Sequence, residues 1–264
     1  MNIWITGASS GIGYALAIAF AKRLGEKSLN IGLVGRRLAP MQVLQAKLKE
    51  EYQVTSEIYL QDVRDHAAMR SAANDFIQKF GAPNIVVAGA GVSRGTLTEF
   101  AEDISAFQAV MDTNVMGMLH TFQPFIEGMK QLAASKQQAQ LVGIASCAGI
   151  RGLPGAGAYS ASKAAAISYL ESLRVEMLHY DIAVTTIAPG YIKTPMTDVN
   201  DYAMPFLMDV DQAAEKFVDA ILAKRRFTII PWQMGVVAKI MRIIPPIVWD
   251  KIACRAPHKK RFVD

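Results

Sequence analysis

Cysteine is scarce in this chain of 264 residues. Cys147 and Cys254 are the only two, far apart in sequence, which excludes a disulfide framework and suits a reducing, cytoplasmic setting. The four histidines, His66, His120, His179 and His258, lack metal-ligand spacing, so no metal site is expected. Linkers, repeats and low-complexity tracts are missing, which points to one domain rather than an array. The apolar stretch from Trp232 to Ile244 falls short of the ~18 consecutive apolar residues that a spanning helix needs. The strand-like Asn2 to Ile5 runs straight into a glycine motif, so no secretory or transit leader is expected. Net charge is missing from most of the chain. Seven of the 28 cations and two of the 23 anions lie from Pro231 onward, so the preceding 230 residues carry 21 of each sign. The surplus of +5 belongs to the tail.

What is abundant is apolar surface. Hydrophobic residues make up 52% of the chain, enough to bury a sheet on both faces. Short apolar runs alternate with longer amphipathic ones. Strands are expected near Ile3 to Thr6, Leu29 to Val34, Ser56 to Leu60, Ile85 to Ala88, Leu141 to Ala145, Ala183 to Ile187 and Phe227 to Ile230. Helices are expected over Gly13 to Leu24, Pro40 to Glu51, Asp65 to Phe80, Ile104 to Leu132, Ala158 to Tyr180 and Asp211 to Ala223. This βαβ order implies an α/β fold with a single doubly wound, seven-stranded parallel sheet and helices on both faces. Such a sheet binds its ligand beyond the carboxyl ends of its strands. The expected domain spans residues 1–230, with a flap at about 191–210 and a basic amphipathic extension over 231–264.

The motifs fall at those strand ends. Gly7, Gly11 and Gly13, in Thr6-Gly7-Ala8-Ser9-Ser10-Gly11-Ile12-Gly13, allow a tight turn that brings a helix N-terminus close to a pyrophosphate. Lys163 follows Tyr159 by four residues on an expected helix, so both share one face. A Tyr-x-x-x-Lys pair arises by chance on the order of once in a chain of this length, so it carries weight only in combination. A phenol titrates near ~10, and an ammonium beside it favours the phenolate, so Lys163 is expected to lower the pKa of Tyr159. Ser146 ends the fifth strand, where its hydroxyl can hydrogen-bond a substrate oxygen. Strand two ends in Gly35-Arg36-Arg37, without the acid that accepts from free ribose hydroxyls; two guanidiniums there favour a 2′-phosphate.

Thr6 to Gly13, Ser146, Tyr159 to Lys163, and Pro189-Gly190 with Thr194 together resemble the short-chain dehydrogenase/reductase family, over roughly residues 1–225. The resemblance implies a Rossmann-type fold and an NADP(H)-dependent oxidoreductase acting on carbonyl or alcohol groups. Tyr159 would then be the general acid/base, Lys163 would also hold the nicotinamide ribose, Ser146 would position the carbonyl oxygen, and Asn114 would bend its helix and hold a water linked to the lysine. Cofactor contacts would come from Gly7, Ser9, Ser10, Gly11, Ile12, Gly13, Arg36, Arg37, Asp62, Val63, Ala90, Gly91, Pro189, Gly190, Ile192 and Thr194, together with Tyr159 and Lys163. Ala88-Gly89-Ala90-Gly91 stands where the family usually has Asn-Asn-Ala-Gly, so the amides that brace the neighbouring strands are absent. A homodimer or homotetramer through the long helices holding Asn114 and Tyr159 is implied as well.

Leu153, Tyr191, Met196, Met204 and Phe206 are expected to form an apolar pocket for a hydrophobic ketone or secondary alcohol. A second reading keeps the fold without turnover, as a nucleotide-sensing or membrane-recruited protein. The basic tail has no accompanying nucleic-acid recognition motif. It either lies peripherally on an anionic membrane surface or packs against the pocket or a partner subunit.

Overall fold

Along the first strand, Ile3 and Ile5 bury on one side of the sheet and Trp4 on the other. This two-sided burial repeats inward. Val87 faces the first side, whereas Val86 and Ala88 face the second, as in a parallel sheet covered by helices on both faces. The computed structural model describes residues 1–25, 28–255, 259 and 261. His258, Lys260 and Asp264 of the basic tail lie outside the described residues.

Strands β1 (Asn2–Thr6), β2 (Asn30–Gly35), β3 (Thr55–Leu60), β4 (Ile85–Ala88), β5 (Gln140–Ile144), β6 (Ala183–Pro189) and β7 (Phe227–Ile230) form one sheet. All pairings are parallel, in the order β3-β2-β1-β4-β5-β6-β7. The order reverses between β1 and β4, the switch point where such sheets bind ligands. On one face lie α1 (Gly11–Leu24), α2 (Leu38–Tyr52) and α8 (Val210–Leu222), with Leu16, Leu44 and Phe217 buried. The other face is covered by α3 (His66–Phe80), α5 (Gly117–Phe122), α6 (Ile126–Ala134) and α7 (Gly157–Leu178). There Trp4 packs against Tyr59, Phe76 and Phe125 at 4.8–5.2 Å between ring centroids.

The single helix expected over Ile104 to Leu132 is not what forms. The segment is divided into α4 (Asp103–Met111), a π-helical turn over Asp112–Met116, α5, a 3₁₀ turn over Gln123–Phe125, and α6. Pro124 has no N–H to continue an α-helical ladder, which accounts for the second break. At the first, the wide turn brings Asn114 inward, where it is buried. The tail forms α9 (Trp232–Ile243) and α10 (Pro246–Ala253), divided at Pro245-Pro246, where proline cannot continue the helical ladder.

Candidate active site

The glycine turn after β1 is shaped by close approach. Gly7 has φ +78°, and a side chain there would place Cβ 2.9 Å from the Ala90 backbone. A Cβ on Gly13 would sit 2.4 Å from the Gly7 carbonyl oxygen. Helix α1 starts at Gly11, two residues earlier than expected, and Ser10 makes no side-chain cap. Its first-turn N–H groups are therefore left to an anion.

This turn opens one end of a cleft of about 310 Å³. Every residue expected to contact a cofactor lines it: the 7–13 turn, Arg36 and Arg37, Asp62 and Val63, Ala90 and Gly91, Pro189, Gly190, Ile192 and Thr194. Ser146, Tyr159 and Lys163 line the same cleft. Asn114 does not. It stands behind the wall, where its Oδ1 accepts from Val92 N at 2.8 Å and its Nδ2 donates to Val92 O and to Ser162 Oγ, both at 2.9 Å. It positions the loop after β4 against α7.

That loop lacks the family's two asparagines, and a residue the sequence reading passed over braces it instead. The buried Thr6 hydroxyl accepts from Gly89 N at 3.2 Å and Ala90 N at 3.3 Å, and donates to Val87 O. The sequence shows only a polar residue closing the strand, not the partners that its hydroxyl meets. Thr197 was missed too; its hydroxyl accepts from Thr194 N at 2.9 Å and lies 2.7 Å from Ile192 O, fixing the turn after β6.

Near the end of β2, Arg37 Nη2 donates to Ser9 O at 3.2 Å, and Arg36 Nη1 lies 3.5 Å from Asp62 Oδ2. Asp62 is held mainly by Arg64, at 2.7–3.1 Å, which keeps its carboxyl below the usual carboxylate range. Arg64, unforeseen in sequence, neutralises Asp62 and leaves Arg36 and Arg37 as surplus positive charge.

At the catalytic end, Ser146 Oγ accepts from Ala148 N at 3.2 Å, which leaves its own O–H free to donate. Lys163 Nζ donates to Ile144 O at 2.9 Å and lies 5.7 Å from the Tyr159 ring centroid. Burial drops the Lys163 pKa to about 8. Burial also raises that of Tyr159, partly offset by the Ser146 hydroxyl. The expectation that Lys163 lowers the phenol's pKa is thus corrected: loss of water is the largest influence on Tyr159, and burial drives both groups toward neutrality. Cys147 is no nucleophile. Burial pushes its thiol up to about 12, and Sγ points to Ala188 O at 3.6 Å.

The expected apolar pocket is only partly assembled. Met196 lines the cleft, but Leu153 lines a neighbouring cavity and Phe206 is half exposed. Phe206 has φ +56°, which turns the flap at that point. The described residues contain no cluster of ligands able to hold a metal.

The family model for short chain dehydrogenases matches residues 1–204. The chain belongs to that family. An uncharacterized oxidoreductase of Myxococcus xanthus is 34% identical over 251 residues, covering 95% of each chain. Dehydrogenase/reductase SDR family member 7B of Xenopus tropicalis is 29% identical, over 98% of this chain and 87% of its own. Among solved structures, a 3-oxoacyl-[acyl-carrier protein] reductase from Brucella melitensis with bound NAD is 26% identical. It superposes with a TM-score of 0.72 and covers 87% of this chain and 88% of that one. A short-chain dehydrogenase of this kind is an oxidoreductase working with a nicotinamide cofactor, and the cleft's geometry fits one. Its glycines leave room for a close-lying pyrophosphate, uncapped N–H groups stand beside that room, and the reactive side chains line the same cleft.

Proposed function

We propose that this protein is an NADP(H)-dependent oxidoreductase that moves hydride between the nicotinamide and a hydrophobic ketone or secondary alcohol. The observation that carries this reading is the meeting of Ser146, Tyr159 and the buried amine of Lys163 in the cleft that the glycine turn opens. When bound, the dinucleotide supplies or takes up the hydride. Its diphosphate fits the 7–13 turn, and its 2′-phosphate fits Arg36 and Arg37. The relative holding NAD leaves that preference resting on these two arginines.

The chain's own groups manage the oxygen and its proton. In reduction, the Tyr159 O–H gives its proton to the carbonyl oxygen; in oxidation, the phenolate takes it back. The raised pKa keeps the phenol protonated at neutral pH, which suits the acid role. Ser146 donates to the same oxygen as negative charge grows there. Lys163, held by Ile144 O, stabilises the phenolate once it forms. Met196 and Ile192 provide apolar wall without a fixed cation for an acidic substrate. Pairing of two copies would use α4 and α7, which expose Ile104, Phe107, Val175 and Leu178. The free cysteines suit the proposed cytoplasmic setting.

The test is NADPH oxidation across aliphatic, aromatic, steroid and acyl-thioester ketones. Tyr159→Phe should lower turnover by ~10²-fold or more with NADPH affinity retained. NADPH binding without turnover on any of these would favour the silent, nucleotide-sensing reading instead.

A further inference from the structure

Helices α9 and α10 turn a large apolar surface to solvent. Trp232 is 72% exposed, Ile243 79% and Ile247 74%, and Val236, Ile240 and Ile252 are exposed beside them. On α9 the positions 232, 236, 240 and 243 follow helical spacing and make one stripe. Soluble surfaces seldom carry a contiguous apolar patch without using it.

The stripe is exposed by construction, not because the helices have come loose. Met234 and Ala238, on the opposite side of α9, are buried. Met234 sits so close to the Pro189-Gly190 turn that a Cβ on Gly190 would lie 2.6 Å from its Cγ. Arg151 donates to Met241 O at 3.2 Å and Ile244 O at 2.9 Å, satisfying the last carbonyls of α9, and its guanidinium lies 5.0 Å from the Trp249 ring of α10. Both helices are therefore fastened to the domain through their inner sides, and among the described residues the outer sides have no partner within it.

Charge decides what would cover them. Lys239, Arg242, Lys251 and Arg255 are exposed among these apolar residues, against Asp250 as the one acid between 231 and 255. A symmetric pairing of two copies through this face would set like cations against each other. A sheet of anionic headgroups over an apolar interior complements both the cations and the stripe. No helix among the described residues is long and apolar enough to cross a membrane, so the pair would lie flat. We propose that α9 and α10 form the face by which this protein docks on an anionic phospholipid bilayer. Trp232 and the isoleucines enter the headgroup boundary, and the lysines and arginines engage the phosphates. Through Met234 the docked face joins the turn that walls the cleft, which links docking to apolar substrates dissolved in the bilayer. Docking itself does not depend on the proposed chemistry.

Flotation of the full chain with phosphatidylcholine vesicles, with and without phosphatidylglycerol, tests this. The chain should float only with phosphatidylglycerol present, and less so as salt is raised. Lys239→Gln and Arg242→Gln should each weaken partitioning by roughly fivefold. Ile243→Asp, at an exposed site, should abolish it while leaving thermal stability and turnover of water-soluble ketones unchanged. Equal flotation of wild type and Ile243→Asp would overturn the proposal, as would no flotation at all. So would an Ile243→Asp variant that dissociates a dimer in vesicle-free buffer, because the occupant would then be a second copy.

Discussion

Lys163 of α7 donates to the carbonyl of Ile144, the last residue of β5, at 2.9 Å. The bond fixes the amine at the carboxyl end of the sheet, where burial has drawn its pKa down from 10.5 to about 8. Between those values the unfolded chain binds a proton that the folded chain does not. The group therefore subtracts from stability below about pH 8, and the penalty fades as pH rises toward 10.5. Lys163→Met removes the penalty and loses one hydrogen bond of ~1 kcal/mol. The thermal midpoint of the cofactor-free variant at pH 7 should match or exceed that of wild type, although turnover falls by ~10²-fold or more. A clear drop in midpoint at pH 7 would contradict the assignment of burial as the cause.

Cofactor choice should follow Arg36 and Arg37. Arg37 already reaches the glycine turn through Ser9 O, and Arg36 is drawn only weakly to Asp62 because Arg64 holds that carboxylate. Replacing either arginine with alanine should weaken NADPH by about 10- to 100-fold, the worth of a charge-assisted bond to phosphate, and leave NADH nearly unchanged. Fluorescence titration with both dinucleotides measures this. Equal losses for the two would remove the arginines from phosphate recognition.

The sequence was most legible where a property is local and periodic. The bounds of β4 and β7 agree with the apolar runs read at Ile85 to Ala88 and Phe227 to Ile230. The four-residue step from Tyr159 to Lys163 needs only helical geometry to bring both to one cleft. What stayed hidden depends on partners distant in sequence. The Thr6 hydroxyl meets Gly89 N, 83 residues away, so no local pattern announces the bond. The pKa direction of Tyr159 depends on how much water the folded cleft excludes, which spacing does not encode. Pro124 was a readable breaker inside the helix expected over Ile104 to Leu132, whereas the π-helical turn at Asn114 arises with contacts to Val92 and Ser162 across the fold.

Thr6 stands in for the missing asparagines, so its hydroxyl should matter more than its size suggests. Thr6→Val keeps the shape and leaves Gly89 N and Ala90 N without their acceptor. Leaving these part-buried donors unpaired costs up to about 1–3 kcal/mol, the penalty for a fully buried group. Denaturant unfolding should show that loss, and NADPH affinity should fall with it, because Ala90 and Gly91 wall the cofactor cleft. A neutral substitution would mean that the loop is held by Asn114 alone.

Arg261 fastens the tail to the start of α4. Its Nε donates to Asp103 Oδ2 at 2.8 Å and Nη2 to Oδ1 at 3.1 Å, while its guanidinium lies 3.5 Å from the Phe100 ring and 3.7 Å from Glu102. Asp103 also accepts from Leu97 N at 2.8 Å. The guanidinium first, and then the Leu97 N–H, hold the Asp103 carboxyl below its ordinary value. Because the folded value is the lower one, the pair adds stability at all pH values above ~3.9, the ordinary aspartate value. That contribution is lost as pH falls further through the folded value. Asp103→Asn should therefore be less stable than wild type in urea at pH 7, and the gap should close as pH is taken below ~3.9. The Leu97 amide should exchange faster in the variant over the same range. A stability gap that persists undiminished in acid would show that Asp103 acts through packing and not through its charge.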